Sequence, residues 1–484
     1  MLNDIENIVN KLKTDSNNME EIIYRLKYIN GKKIYVIYSE PIVDSDKISD
    51  FIIRSLDTID NKYKKDIDLF TVIKNDINNF KVKEINNYKD VCYFLHNAFT
   101  IILIEGSDSG LALETKGNLT RSIDKPSTDN TLRGPMDAFV ENIQTNLGLI
   151  KRRIKSNNLW IKENIIGRYT NTKTCILYLN GVCEKEIVDK TDKMLKKIDI
   201  DGIVNSGTIK NLIDKETKSL FPTIMTTERP DKVCDALLSG KIVILVDGSP
   251  FALILPSVLN DFLKTMEDTY SKNINITFTR IIRYIALIIT LLTPALYIAL
   301  ITYNQEILPT EFLISFASQR GSVPFPAFIE ALLMAIAFEI LRESDLRMPN
   351  FSSSSLSIVG ALILGEAAVS AGIVSPIMII VIALTAISGL ILNEPDMVNG
   401  IRWYRILFMI GASFMGIIGI IAIFIYMITK LSSLYSFGKP YLIPFSPIDF
   451  TGLKNSIIKF PTKKLNKRES YISNNKIKYK EKKL

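Results

Sequence analysis

The chain has 484 residues, 47% hydrophobic and 23% charged, with 59 Lys and Arg against 51 Asp and Glu for a formal charge of +8. That length holds about three domains, and the charges avoid most of the stretch from Tyr284 to Thr429. The split excludes a plain soluble enzyme, and the polar, Asn/Lys/Ile-rich region before it excludes a wholly membrane-embedded transporter.

Residues 1–33 read as a polar N-terminal extension. Met1-Leu-Asn-Asp-Ile-Glu has no apolar run behind a basic start, so no cleavable signal is expected. An internal repeat follows. Val91-Cys-Tyr-Phe-Leu-His-Asn-Ala-Phe-Thr-Ile-Ile-Leu-Ile-Glu-Gly-Ser107 aligns without gaps on Val233-Cys-Asp-Ala-Leu-Leu-Ser-Gly-Lys-Ile-Val-Ile-Leu-Val-Asp-Gly-Ser249. Each copy predicts a short helix, a buried β-branched strand and an acidic-Gly-Ser turn. A second pair, beginning at Ile37 and Leu177, predicts a strand followed by an amphipathic helix. The chain therefore reads as a duplicated α/β module, 34–120 and 171–270, with mixed sheets covered by helices. Gly106 and Gly248 sit in tight turns with no GxGxxG or Walker spacing.

Catalytic and metal chemistry find little support. The single histidine, His96, excludes His-ligated metal sites and His-based triads, and no cofactor is expected. Cys92, Cys175, Cys183 and Cys234 form no CxxC pair and are expected to stay reduced.

The central linker region, 121–170, runs from Arg121-Ser-Ile-Asp-Lys-Pro126 into a segment predicted to be helical from Gly134-Pro135. Phe139, Ile143, Leu147 and Ile150 fall on one face, and Lys151, Arg152 and Arg153 complement the negative end of the helix dipole. The segment is either an amphipathic packing helix, or Asp124, Arg133, Asp137 and Arg152 form an ion-pair lock between modules or subunits.

Residues 271–436 read as an all-α polytopic membrane domain with four crossings: about Tyr284–Tyr303, about Val323–Leu341, one within Ser355–Leu392, and about Tyr404–Thr429. The third stretch, about 57 Å as straight helix, must break near Ala371–Pro376. The small-residue piece before that break is a re-entrant helix, a protein-buried helix or a further crossing. Lys and Arg near the span ends place both termini on the cytosolic face. Of the carboxylates in the spans, Glu366, Glu330 and Glu339 are candidates for a cation path; alternatively Glu339 is an ion-paired anchor beside Arg342 and Glu343. The cytosolic tail, 437–484, carries from Lys454 onward eleven basic residues against two acidic ones. It reads as mobile, suited either to anionic lipid headgroups or to solubility alone, and it lacks the aromatic residues of a nucleic-acid platform.

The motifs Arg121-Ser-Ile-Asp-Lys-Pro126, Arg133-Gly-Pro-Met-Asp-Ala-Phe-Val-Glu141 and Leu149-Ile-Lys-Arg-Arg-Ile154 resemble the A subunits of GerA-type spore germinant receptors. So do Phe221-Pro-Thr-Ile-Met-Thr-Thr-Glu-Arg-Pro230, Val323-Pro-Phe-Pro326, Glu339-Ile-Leu-Arg-Glu343 and Gly438-Lys-Pro-Tyr-Leu442. Lys125 and Met136-Asp137-Ala138 depart from the family pattern. The resemblance implies a multipass protein of the spore inner membrane that is not an enzyme. Its implied partners are a transporter-like B subunit and a lipoprotein C subunit. It further implies self-association into a ring, such as a pentamer, enclosing a nutrient-gated path for monovalent cations. Interface or coupling roles are expected for Arg121, Asp124, Arg133, Glu141, Arg152, Arg153, Arg342 and Glu343. The competing reading is a scaffold that passes a signal without conducting.

Overall fold

A computed structural model describes residues 4–62, 68–77, 81–117, 126, 128–129, 131, 133–214, 219–347, 365–392, 394–460, 468–469 and 471–473. Two units are present: an α/β unit of 1–215, 224–256 and 462–484, and a helical unit of 216–223 and 257–461.

The α/β unit holds two five-stranded sheets built to one plan. Strands β1 (Ile22–Ile29), β2 (Lys32–Ser39), β3 (Val82–Ile85), β4 (Phe99–Ile104) and β5 (Gly110–Glu114) lie in the order β1-β2-β4-β5-β3. Strands β6 (Leu159–Ile166), β7 (Thr172–Leu179), β8 (Met225–Thr227), β9 (Ile242–Val246) and β10 (Ala252–Leu255) lie in the equivalent order β6-β7-β9-β10-β8. The registers agree as well. Ile34 pairs with Ile104 and Ile37 with Ile101 in one sheet, Thr174 with Val246 and Leu177 with Val243 in the other. Even the acidic turns correspond: Glu105 N donates to Lys33 O, and Asp247 N to Lys173 O, each at 2.9 Å.

Every strand pair is antiparallel, which corrects the expected mixed sheets. The reason is β1 and its counterpart β6, each of which opens its module as one arm of a hairpin. β1 lies inside the stretch read as a polar extension. Asn30 and Gly31, with φ of 51° and 80°, form the tight turn to β2, a geometry that asparagine and glycine accept. Arg25 and Lys27 interrupt the apolar pattern of this edge strand, which is buried only at its ends, Ile22 and Ile29.

Helix α1 (Tyr88–His96) precedes β4 as α2 (Pro230–Ser239) precedes β9. At the end of α1, His96 Nε2 donates to Asn157 Oδ1, and Asn157 Nδ2 reaches Cys92 Sγ at 3.0 Å. Burial holds the imidazole below its ordinary value, outweighing the bond to Asn157 that would raise it, and the nearby Lys151 charge adds to the depression. Folded His96 is therefore neutral where the unfolded side chain, near 6.5, has begun to bind a proton. Stability is complete above about pH 6.5 and falls as pH drops below it. The single imidazole resonance should titrate below 6.5, and His96→Asn should flatten the pH dependence of unfolding below that point.

Two helices of the other unit, Asn273–Thr302 and Pro395–Ser433, are long and apolar enough to cross a membrane, and Pro376–Leu390 is apolar but shorter. Four single crossings are not what the helices display. Ala327–Arg347 carries Glu330, Glu339, Arg342 and Glu343 along its length. The third stretch turns at Ala371–Ser375, so that Gly365 packs on Ile379 and the two flanking pieces run back along each other; residues 348–364 lie outside the described residues. The fourth stretch reverses at Gly416, whose φ of 60° and ψ of −136° interrupt the helix. In a straight helix Gly411 and Gly419 would stand about 12 Å apart. Here a Cβ on Gly419 would lie 2.6 Å from the carbonyl carbon of Gly411. The far ends agree: Gly400 packs on Leu220, and Ser436 Oγ donates to Thr223 O at 2.7 Å.

Parts of the tail that are described make specific contacts. Asn455 O accepts from Arg280, and the Ser456 hydroxyl accepts from Asn260 Nδ2 at 2.9 Å. Further on, Tyr471, Ile472 and Ser473 are buried in the α/β unit, where Ser473 Oγ donates to Val182 O and Arg468 Nε to Leu238 O. Most of the basic residues between and beyond these contacts lie outside the described residues.

Candidate functional site

The central segment becomes helix late. Phe139 N donates to Glu228 O at 2.8 Å, beside β8, and Val140 N to Asn146 Oδ1 at 2.8 Å. Helix α3 therefore spans only Ile143–Arg153, capped by Asn142, whose side chain accepts from Gln144 N and Thr145 N. The expected start at Gly134-Pro135 is nine residues too early, because pairing with the edge of the second module outcompetes another two turns of helix.

The three basic residues that end α3 go to separate partners. Lys151 is buried in an ion pair with Glu21 and donates to Ser39 Oγ at 3.2 Å. Arg152 donates to the Gly117 carbonyl at 2.8 Å. Arg153 grips both oxygens of Asp137, at 2.7 and 2.6 Å. Asp137 thus pairs with Arg153 and not with Arg152. Arg133 and Glu141 are exposed. Glu141 contributes its carbonyl, which accepts from Gly248 N at 2.9 Å. Arg121 and Asp124 lie outside the described residues.

The residue that binds this segment most tightly was not singled out from the sequence. Arg229 is fully buried and forks onto Asp231, with Nε–Oδ1 at 3.0 Å and an NH2–Oδ2 contact at 2.7 Å. It also donates to Asp129 O, Thr131 Oγ1 and Pro135 O. Glu228 beside it accepts from Thr128 and Asp129. The available signal was local: a Glu-Arg-Pro-Asp run at a helix start, where Pro230 sets N1 and an adjacent arginine and aspartate can face each other. First module, central segment and second module are bolted together by Lys151, Arg152 and Arg229.

In the helical unit the three candidate carboxylates stand apart. Glu330 is completely buried and accepts from both the backbone N and the hydroxyl of Ser375, capping helix Pro376–Leu390, with Arg320 Nε 3.7 Å away. Glu339 pairs with Arg402 at 2.9 Å and Arg405 at 3.2 Å, so the anchor it forms runs to the far helix and not to Arg342 or Glu343 on its own. Arg342 is half-buried and Glu343 exposed. Glu366 is exposed and in no ion pair among the described residues, next to the equally exposed Ala367.

A second buried cluster secures the first long helix. Asp268 receives Arg280 Nε at 2.7 Å and Arg283 at 3.0 Å, while Arg283 also reaches Thr265 Oγ1 and Tyr284 OH donates to Asn260 Oδ1. The arginines expected merely to mark the cytosolic end of a span are bonded inward. Among the described residues no group of three or more His, Cys, Asp or Glu is placed to hold a metal, and the polar clusters pair charge with charge.

The family described as "Bacillus/Clostridium GerA spore germination protein" matches residues 9–471. The chain is 38% identical over 473 residues to "Spore germination protein KA" of Bacillus subtilis (strain 168), covering 97% of this chain and 86% of that protein. It is 35% identical over 447 residues to that organism's "Uncharacterized membrane protein YfkQ", covering 91% and 86%. Among solved structures, the N-terminal domain of the A subunit of the Bacillus megaterium spore germinant receptor GerK3 is 32% identical, covering 53% of this chain and 96% of that one, with a TM-score of 0.42. A family match from residue 9 to residue 471 takes in both sheets, the central segment and the helical unit, and by it the chain belongs to the GerA spore germination protein family.

Proposed function

We propose that this chain is the A subunit of a nutrient germinant receptor of the spore inner membrane, acting with a transporter-like B subunit and a lipoprotein C subunit. In this reading copies of the chain form a ring, such as a pentamer, around a path for monovalent cations. The observation that carries the conduction is Glu366. A carboxylate exposed on the flank of an apolar helical unit is unfavourable against lipid and is relieved where it faces water beside another copy. Glu330 and Glu339, already bonded within the chain, act as structural ties in this scheme.

The reversals support a reading of the topology. Gly416 packs on Tyr303 and Asn304, and Gly372 on Ser322, so these turns gather toward one end of the helical bundle. Six passes with both ends cytosolic fit this arrangement. The even parity is that of the four passes expected from sequence, and parity alone sets the sidedness.

Germinant binding on the partner would shift the ring between closed and open packings, hydrating the small-residue helix and presenting a ring of carboxylates. In liposomes containing the purified chain, Glu366→Gln should lower potassium-over-chloride preference on the order of tenfold, about 1.4 kcal/mol. Conduction and preference equal to the unmodified chain would remove Glu366 from the path.

A further inference from the structure

The helical unit contains a recess whose charge is out of balance. Arg342, Arg402 and Arg405 line it with Glu339, Phe338 and Leu390, and it opens outward. Glu339 supplies the one carboxylate of the lining, and Arg402 and Arg405 both draw on its Oε1. Three guanidiniums against one carboxylate leave a local charge of +2.

The donors are correspondingly unmet. Arg405 is only 8% exposed, and its Nε is buried without a hydrogen-bond acceptor among the described residues. Arg342 stands half-buried at the same recess, in no ion pair among the described residues. A guanidinium fork matches the spacing of phosphate oxygens and takes them two at a time. Leu390, 70% exposed, and Phe338 give the recess an apolar wall of the kind an acyl chain can follow.

We propose that this recess binds a phosphate oxyanion, supplied by the headgroup of an anionic phospholipid. The anion would complete the coordination of Arg342, Arg402 and Arg405 and so tie helix Ala327–Arg347 to the first arm of Pro395–Ser433. Basic pockets between membrane helices on the cytoplasmic side are suited to such headgroups. The proposed topology enters only in assigning the leaflet; binding in detergent is independent of it.

The test uses the full-length chain carrying Trp160→Phe, so that Trp403, beside Arg402, is the sole tryptophan. Brominated phosphatidylglycerol should quench Trp403 at about tenfold lower concentration than brominated phosphatidylcholine. Arg342→Gln, which breaks no ion pair seen among the described residues, should abolish most of that advantage. Glu339→Gln should move the other way and tighten phosphatidylglycerol several-fold, because it releases two guanidiniums; a merely structural role for the cluster gives no such opposite signs. The basic tail is common to all variants and cancels. No lipid preference together with a saturable response to millimolar inorganic phosphate that is lost in Arg342→Gln would assign the site to the free anion. Equal quenching by the two lipids with no phosphate response overturns the proposal, as does an Arg342→Gln chain that binds like the parent.

Discussion

Arg229→Ala should destabilise the α/β unit by about 3–5 kcal/mol, the range for removing one partner of a buried ion pair. The substitution removes both bonds to Asp231 and the three that tether Asp129, Thr131 and Pro135, so the central segment loses its strongest hold on the second module. Trp160, on β6 of that module, reports the transition once Trp403→Phe has silenced the other tryptophan of the chain. Arg229→Lys keeps the charge but not the planar fork and should recover less than half of the loss. A midpoint for Arg229→Ala within experimental error of the parent would mean that the segment is held by something other than this residue.

Gly416→Val should prevent the helical unit from assembling. The residue sits at φ 60° and ψ −136°, a region open to glycine and closed to β-branched side chains. A Cβ there would also lie 2.8 Å from that of Tyr303 and 2.5 Å from Asn304 Oδ1. Strain and overlap together exceed about 3 kcal/mol, enough to remove most folded protein from the membrane fraction. Gly389→Ala is the matched control: its new methyl would meet Thr290 Cγ2 at 3.6 Å, an ordinary contact, and it should accumulate normally. Equal accumulation of Gly416→Val and Gly389→Ala would mean that Pro395–Ser433 does not fold back.

The duplication was legible because it is written in contiguous runs: Val91–Ser107 and Val233–Ser249 carry helix, strand and acidic turn in one gapless stretch, and both copies fold as read. The opening hairpin was also written, in Asn30-Gly31, yet the charged edge strand β1 broke the alternation that would have drawn attention to it. Residues 135–142 were expected to be helical but form no regular element, since spacing records one apolar face and not which backbone partners the fold will supply. The fourth apolar stretch shows a related limit. Its length fits one crossing, and only the three-dimensional approach of Gly411 to Gly419 shows two arms. Among the charges, type and approximate depth were readable, but partners were not. Glu339 was matched to Arg342 by sequence proximity, while the fold brings Arg402 and Arg405 from more than sixty residues away. Arg229 and Asp268 escaped notice because a buried charge looks like a surface charge until its surroundings are known.

The most direct test of the account is cation flux across liposomes that contain this purified chain and no partner subunit. The four native cysteines are replaced and Glu366→Cys is introduced. The account expects ion flux through the Glu366→Cys chain, its potassium-over-chloride preference reduced by loss of the carboxylate, and block of that flux when a methanethiosulfonate reagent modifies the new thiol. Liposomes that stay tight until a B subunit is added, with flux then indifferent to the modified cysteine, would contradict it and leave this chain as a scaffold in the receptor.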